Sequence, residues 1–329
     1  MPEQRRRRRH VVIGAGAVGG VLAARLTQAG REVLLVARGE HGRLIAERGL
    51  RVRHPGGIDT VRIPVVAGPD DVSLRSTDVL LLTVKTQDAE GALRDWSWLP
   101  LSDVPGGVAA DLPIVTFQNG LETESAALRR FRSVHGATIG IAASYLTAGE
   151  VVSPSRAPVE GAIWIGRYPR GHDEVTEAVV RDLTAAGFHA VVSDDVRAEK
   201  SAKLVANVSN GLDLLPGTDE DRSAARDLLR AEATEVLAAA GLPIGRLDAS
   251  LTIESVEGHL PGRLSTWQSF ARGASSEIDH LNGEIVLLGR RHGVATPVNE
   301  RLQRLLGSEH TGPRDLSHLL PSLERTSRA

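Results

Sequence analysis

The chain has 329 residues, a formal charge of −2 and no cysteine. This length allows two domains with a sizeable core, and the missing cysteine excludes disulfides, thiolate catalysis and cysteine-ligated metals. Near-neutral charge gives no overall field toward nucleic acid or an acidic partner. No apolar run approaches the ~20 residues of a membrane helix, so we expect a cytoplasmic protein without membrane or nucleic-acid partners.

Arg5 to Arg9 precede His10 with no apolar signal-peptide core behind them. They read as a solvated tail, with a basic nucleic-acid-seeking arm as the other option. His10 to Ile13 then read as a buried strand running straight into Gly14-Ala15-Gly16-Ala17-Val18-Gly19, followed by a helical pattern through Leu22 and Leu26. Strand, glycine turn and helix in this order form the dinucleotide fingerprint. Gly14 permits the turn, Gly16 lets the backbone approach a pyrophosphate, and Gly19 lets helix and strand pack closely. Free N–H groups and the helix dipole at the helix start favour the phosphates.

Glu32 to Ala37 is expected as a second strand, ending in Ala37-Arg38 where an NAD-preferring fold usually carries an acid. A guanidinium there suits a 2′-phosphate and favours NADP; the plainer reading is a surface arginine at a strand end. Leu44 to Gly49 reads as a helix, and Val52 and Val61 to Val66 as short strands around Pro55-Gly56-Gly57. Asp78 to Val84 and Ile114 to Phe117 are runs suited to strands buried on both faces. Lys85 and Asn119 follow them at carboxyl ends, where open α/β sheets bind ligands. Trp96 to Leu112 reads as a loop.

Gly136 to Tyr145, Val151-Val152, Ala162 to Ile165 and Phe188 to Val192 read as further strands, with Glu174 to Ala186 as a helix. Helical patterns follow over Val196 to Leu214, Arg222 to Ala240, Leu247 to Glu257, Thr266 to Arg272, Ser276 to His292 and Asn299 to Leu306. The expectation is an α/β Rossmann-like N-terminal domain over residues 1–193 and an all-α substrate and catalytic domain over 194–329. The active site is expected in the cleft between them.

On a continuous helix, Lys203, Asn207 and Asn210 at i, i+4 and i+7 share one face. Two mid-helix asparagines and Gly211 are poor helix formers, which is easier to understand if the face meets a polar ligand; a solvated face is the alternative. Glu277 opens a helix striped by Ile278, Leu281, Ile285 and Leu288, where it could also be a solvated first-turn carboxylate.

Taken in order, Gly14-Ala15-Gly16-Ala17-Val18-Gly19, Ala37-Arg38-Gly39-Glu40-His41, Val84-Lys85-Thr86, Gln118-Asn119-Gly120 and Lys203-Leu204-x-x-Asn207 resemble ketopantoate reductase. So do Ser265-Thr266-Trp267-Gln268, Ser276-Glu277-Ile278-Asp279-x-x-Asn282-Gly283 and His292-Gly293-Val294-Ala295-Thr296-Pro297. The resemblance implies NADPH-dependent reduction of a 2-oxo acid, in the type member 2-dehydropantoate to pantoate in pantothenate biosynthesis. It implies that Lys203 protonates the developing alkoxide and that Glu277 stands near the cofactor and the reacting centre. Asn207 and Ser265 match substrate contacts, Asn119 serves cofactor and substrate, and Lys85 and Arg38 match cofactor-side positions. The partner is then a small 2-oxo acid, with no metal, and a homodimer is an open option for the assembly.

Two positions depart from the family pattern. The second substrate asparagine, eight residues after the lysine, is Gly211 here, with Asn210 one position earlier as its replacement or as a helix-end residue. The aspartate that often follows Ser-x-x-Gln is Ser269. Both bear on which 2-oxo acid is taken, and leave open a reductase of another branched 2-oxo acid. A non-catalytic NADP-sensing regulator is the third reading, against which the Lys203–Glu277 pair argues.

Overall fold

The computed structural model describes residues 8–259, 277–307, 315–316 and 319. The chain divides into two compact units: one runs up to Glu199 and takes in the segment beginning at Leu247, and the other holds Lys200–Arg246 and the C-terminal helices.

The first unit is built on strands β1 (Arg9–Ile13), β2 (Glu32–Val36), β5 (Val65–Val66), β6 (Asp78–Leu82), β7 (Pro113–Thr116), β8 (Ser133–Gly140), β10 (Ala162–Arg167) and β11 (His189–Val192). They form one sheet in the order β11-β10-β8-β7-β6-β1-β2-β5. β1 pairs in parallel with β2 and β6, so that Val12 lies opposite both Leu35 and Leu81. β10 runs antiparallel to β8. The remaining strands β3 (Leu50–His54), β4 (Gly57–Val61) and β9 (Glu150–Val152) make a small separate sheet in the order β4-β3-β9.

The apolar runs of the central strands follow from cover on both faces. Val12, Leu35 and Leu81 enter one core with Leu22 and Leu26 of α1 (Ala17–Gln28) and Val179 and Leu183 of α5 (Glu174–Ala185). Their neighbours Val11, Ile13, Leu34, Leu80 and Leu82 enter the opposite core with Leu93 and Trp96 of α3 (Thr86–Trp96) and Ala127 of α4 (Thr123–Leu128). Alternate residues thus feed two apolar layers, as a doubly wound sheet requires. α2 (Gly39–Arg48) completes the unit's helices between β2 and β3.

Four expectations are corrected. The segment after Lys85, without a helical expectation, forms α3, which buries Ala89, Leu93 and Trp96 at i, i+4 and i+7. Arg9 is no solvated tail residue: it opens β1 and grips the buried Asp78 through Nε and Nη2 at 2.9 and 2.6 Å. Leu247 to Glu257 is not helical. Ile253 bridges Ser155, the Glu254 N–H donates to the Pro154 carbonyl at 2.9 Å, and Arg156 and Arg53 pair with Glu254 and Glu257. β-branched Thr252, Ile253 and Val256 suit that extended course, and distant partners outweigh the local pattern.

The fourth correction lies in the second unit. α6 (Val196–Asn207) stops at Asn207, and a 3-10 turn covers Asn210–Leu214 in place of the continuous helix expected to Leu214. Among the described residues the unit also holds α7 (Asp219–Ala239), α8 (Ile278–His292) and α9 (Pro297–Gly307). Leu229, Ala233, Val236 and Leu237 give α7 its buried stripe. Leu281 and Ile285 do so for α8, and Leu302, Leu305 and Leu306 for α9.

Candidate active site

The glycine loop joins β1 to α1 at the carboxyl edge of the sheet. Gly14 has φ +111°, a conformation that disfavours a side chain, and a Cβ there would lie 2.9 Å from Val84 Cγ1. Gly19 is shut: a Cβ would sit 1.9 Å from the Gly14 carbonyl oxygen and 2.4 Å from Thr83 Oγ1. A Cβ on Gly16 would meet nothing within 4 Å. One glycine therefore makes the turn, one lets helix and strand touch, and one faces open space where a ligand backbone can approach. Ala17, Val18 and Gly19 form the first turn of α1, whose N-cap is Gly16.

Gly14, Ala15 and Gly16 line a cleft of about 450 Å³ together with Arg38 and His41. Arg38 is the N-cap of α2, exposed, and among the described residues its guanidinium has no ion-pair partner. Ala37, buried before it, offers no carboxylate to a ribose. A larger hollow of about 1140 Å³ lies at the other edge of the sheet, where Glu32, Asp78 and Pro113 begin their strands. Parallel sheets bind ligands at carboxyl ends, so the smaller cleft is the candidate.

Lys85 is the N-cap of α3, directly after β6, and Asn119 stands in the loop after β7. Neither lines the 450 Å³ cleft. The two loops are stitched together: Thr86 Oγ1 donates to the Asn119 carbonyl at 3.2 Å, and Gln118 Nε2 donates to the Leu82 and Val84 carbonyls at 2.9 and 2.8 Å. Thr83 Oγ1 donates to the Gly14 carbonyl at 2.7 Å, tying β6 to the glycine loop. Thr83 and Gln118 thus hold the strand ends in place, a role the sequence reading did not assign. Threonine and glutamine just past apolar strands were its only visible signal.

In the second unit, Lys203 is half-buried on α6. Burial pushes its ammonium below the ordinary lysine value, and among the described residues nothing bonds to it. Asn207 stands one turn on, buried on the same helix. Asn210 is also buried but begins the 3-10 turn, so the three-residue helical face reduces to Lys203 and Asn207. A Cβ on Gly211 would lie 2.5 Å from Leu306 Cδ1, with Leu302 and Ile278 behind it. α8 and α9 therefore fill with apolar atoms the place where relatives by resemblance carry asparagine.

Glu277 is buried at the N-cap of α8, though its carboxylate does not cap the helix. Asn282 fixes the break after α6. Its Nδ2 donates to the Val208 carbonyl and to Asn299 Oδ1, both at 2.9 Å, and Asn299 Nδ2 donates to Glu232 Oε2 at 2.8 Å. Ser265 and Ser269 lie outside the described residues, as does the expected helix over Thr266 to Arg272.

A doubly covered, largely parallel sheet with an open glycine loop after its first strand makes the first unit a Rossmann-type nucleotide fold. Comparison with known proteins then gives the family. The model described as ketopantoate reductase PanE/ApbA matches residues 10–170, and that of the C-terminal part of the same family matches residues 195–309. The 2-dehydropantoate 2-reductase of Pyrococcus horikoshii is 25% identical over 313 residues, covering 91% of this chain and 97% of its own. That of Archaeoglobus fulgidus is 29% identical over 316 residues, covering 92% and 97%. The crystal structure of a PanE/ApbA family ketopantoate reductase from Ralstonia eutropha JMP134 superposes with a TM-score of 0.73 at 27% identity, covering 91% and 97%. The chain belongs to the ketopantoate reductase family and is an oxidoreductase of that kind.

Proposed function

We propose that the chain reduces a 2-oxo acid with NADPH, and that the substrate is 2-dehydropantoate, the compound named in its relatives. The observation that carries the reading is Lys203, a desolvated ammonium with no partner among the described residues, one turn from Asn207. Desolvation is costly for a lysine without a counter-ion, and a substrate carboxylate and a developing alkoxide would offset it.

The first unit's residues fit a dinucleotide. The open face of Gly16 and the N-terminus of α1 suit its pyrophosphate, and the exposed Arg38 guanidinium, without an ion-pair partner among the described residues, suits a 2′-phosphate. When bound, the nicotinamide supplies the hydride. Lys203 stabilises the negative charge that grows on the ketone oxygen and donates its Nζ proton there. Asn207, and Ser265 by resemblance, hydrogen-bond the substrate without adding charge; Lys85 and Asn119 serve the cofactor side, and Glu277 stands by the reacting centre. A spectrophotometric panel of 2-oxo acids with NADPH tests the reading, and ketopantoate should give the highest kcat/KM. NADPH binding without turnover on any member would instead leave a nucleotide sensor.

Arg38→Ala should weaken NADPH by about 1.5–3 kcal/mol, nearer the lower figure because an exposed guanidinium is screened, and leave NADH little changed. Steady-state KM values for the two cofactors check this, and equal weakening would remove Arg38 from the 2′-phosphate.

Closure of position 211 favours a second substrate, another branched 2-oxo acid, with Asn210 supplying the amide from a shifted angle. Asn210→Ala should then raise KM for the best substrate by roughly tenfold, the loss of one hydrogen bond. Unchanged kinetics with a lower Tm would assign Asn210 to the 3-10 turn alone.

A further inference from the structure

We propose that His41, as a neutral imidazole, is a positioning residue that sets the glycine loop for the dinucleotide phosphates; this rests on the dinucleotide reading above. The ring is buried on α2 and both nitrogens are engaged by backbone. Nδ1 accepts the Gly149 N–H at 2.8 Å, which leaves the proton on Nε2, and Nε2 donates to the Ala15 carbonyl at 2.8 Å. Tyr145 packs on the ring with centroids 4.4 Å apart.

Ala15 is the hinge of the loop. Its carbonyl belongs to the peptide that carries the Gly16 N–H, and in a trans peptide the two groups point in opposite directions. Fixing the carbonyl on His41 therefore aims the Gly16 N–H away from α2, from the residue whose missing side chain opens on free space. α1 cannot set this plane by itself, because its first backbone bond runs from the Gly20 N–H to the Gly16 carbonyl, one residue beyond. The other nitrogen of the ring ties the same peptide to the turn before β9, where Gly149 also accepts the Arg51 N–H at 3.0 Å.

The tie works only while Nδ1 is bare, since a proton there would oppose the Gly149 N–H. Burial lowers the ring's pKa beneath the ordinary 6.5, against a smaller opposing pull from the Ala15 carbonyl. Above that lowered value both bonds are present. As pH falls through it the new proton on Nδ1 opposes the Gly149 N–H, that bond is lost, and the ring that holds the Ala15 carbonyl is released from its anchor on the turn before β9. Among the described residues, titratable or charged groups near the ring include Tyr145, which packs on it, Arg38, Asp88 and Asp95 along the same cleft, and Arg51 and Arg53 on β3, both paired with Glu150.

The test is the Kd of NADP⁺ by calorimetry between about pH 5 and 8 for the wild type, His41→Gln and His41→Leu. Glutamine can donate to Ala15 and accept from Gly149 but does not titrate. His41→Leu should raise Kd about tenfold or more at the alkaline end, while His41→Gln stays within about threefold of wild type. As pH falls the wild type should weaken more steeply than His41→Gln; titration of the 2′-phosphate is common to both and cancels. A folded leucine variant with wild-type Kd, or parallel profiles for wild type and glutamine variant, would overturn the proposal. If the leucine variant does not fold, the glutamine profile decides alone. Failure of the wild type to bind either NADP⁺ or NAD⁺ would overturn the dinucleotide reading, and this one with it.

Discussion

Lys203→Ala should lower kcat by about two to four decades, the usual worth of a positioned general acid, with NADPH affinity unchanged. The glycine loop and Arg38 belong to the first unit and Lys203 to the second, so removing the ammonium leaves the candidate dinucleotide contacts intact. Lys203→Arg separates charge from proton delivery. The guanidinium keeps a positive charge for the substrate carboxylate but holds its protons too tightly to act as an acid, so KM should recover more than kcat. The pH profile supplies an independent check. Burial depresses the Lys203 pKa, so the protonated form required of an acid is lost as pH rises through that lowered value. kcat/KM, which reports the free enzyme, should therefore decline on the alkaline side before the ordinary lysine value of 10.5 is reached, and Lys203→Ala should lack that limb. A variant that loses NADPH affinity but keeps kcat would place Lys203 on the cofactor instead.

The glycine loop was legible because its chemistry is local: three glycines at fixed spacing between an apolar strand and a helix leave few other solutions. Burial of the central strands on both faces was legible for the same reason, since runs such as Val79 to Leu82 show no polar alternation. Features set by distant partners were not. His41 stood in a quoted motif without a role, because its meaning depends on Gly149, 108 residues away. The segment from Leu247 offered a plausible helical spacing, and only Ser155, Arg53 and Arg156 show why it runs extended. α3 went unread because Thr86-Gln87-Asp88 and Gly91 dilute a stripe of only three residues. The break after Asn207 follows from neighbours as well: the Val208 carbonyl is taken by Asn282, and Gly211 packs under Leu306. Neither contact follows from the angular spacing of side chains along an unbroken helix.

Gly19→Ala and Gly16→Ala should have opposite profiles, although both add one methyl group to the same loop. At Gly19 the new carbon would press on the Gly14 carbonyl and on the Thr83 hydroxyl that bonds to it. Neither is the free end of a flexible chain, so α1 must lift from the sheet or the loop must reopen. Overpacking of this kind costs about 3 kcal/mol or more, at the upper end of its usual range, because backbone has to move. For a unit of this size that corresponds to a fall in Tm of about 6–12 °C. The Kd for NADPH should rise at least about tenfold, since displacing α1 moves the N–H groups that would face the phosphates. Gly16 has φ −67°, which alanine adopts freely, and its Cβ would meet nothing within 4 Å. Gly16→Ala should therefore keep Tm within about 2 °C of wild type, as a surface change does. The methyl would nonetheless stand where the pyrophosphate has to approach, so Kd should rise about tenfold without loss of stability. Thermal unfolding and NADPH titration on the two variants separate the packing glycine from the ligand-facing one. Wild-type affinity in Gly16→Ala would mean that the phosphates bind elsewhere on the sheet edge.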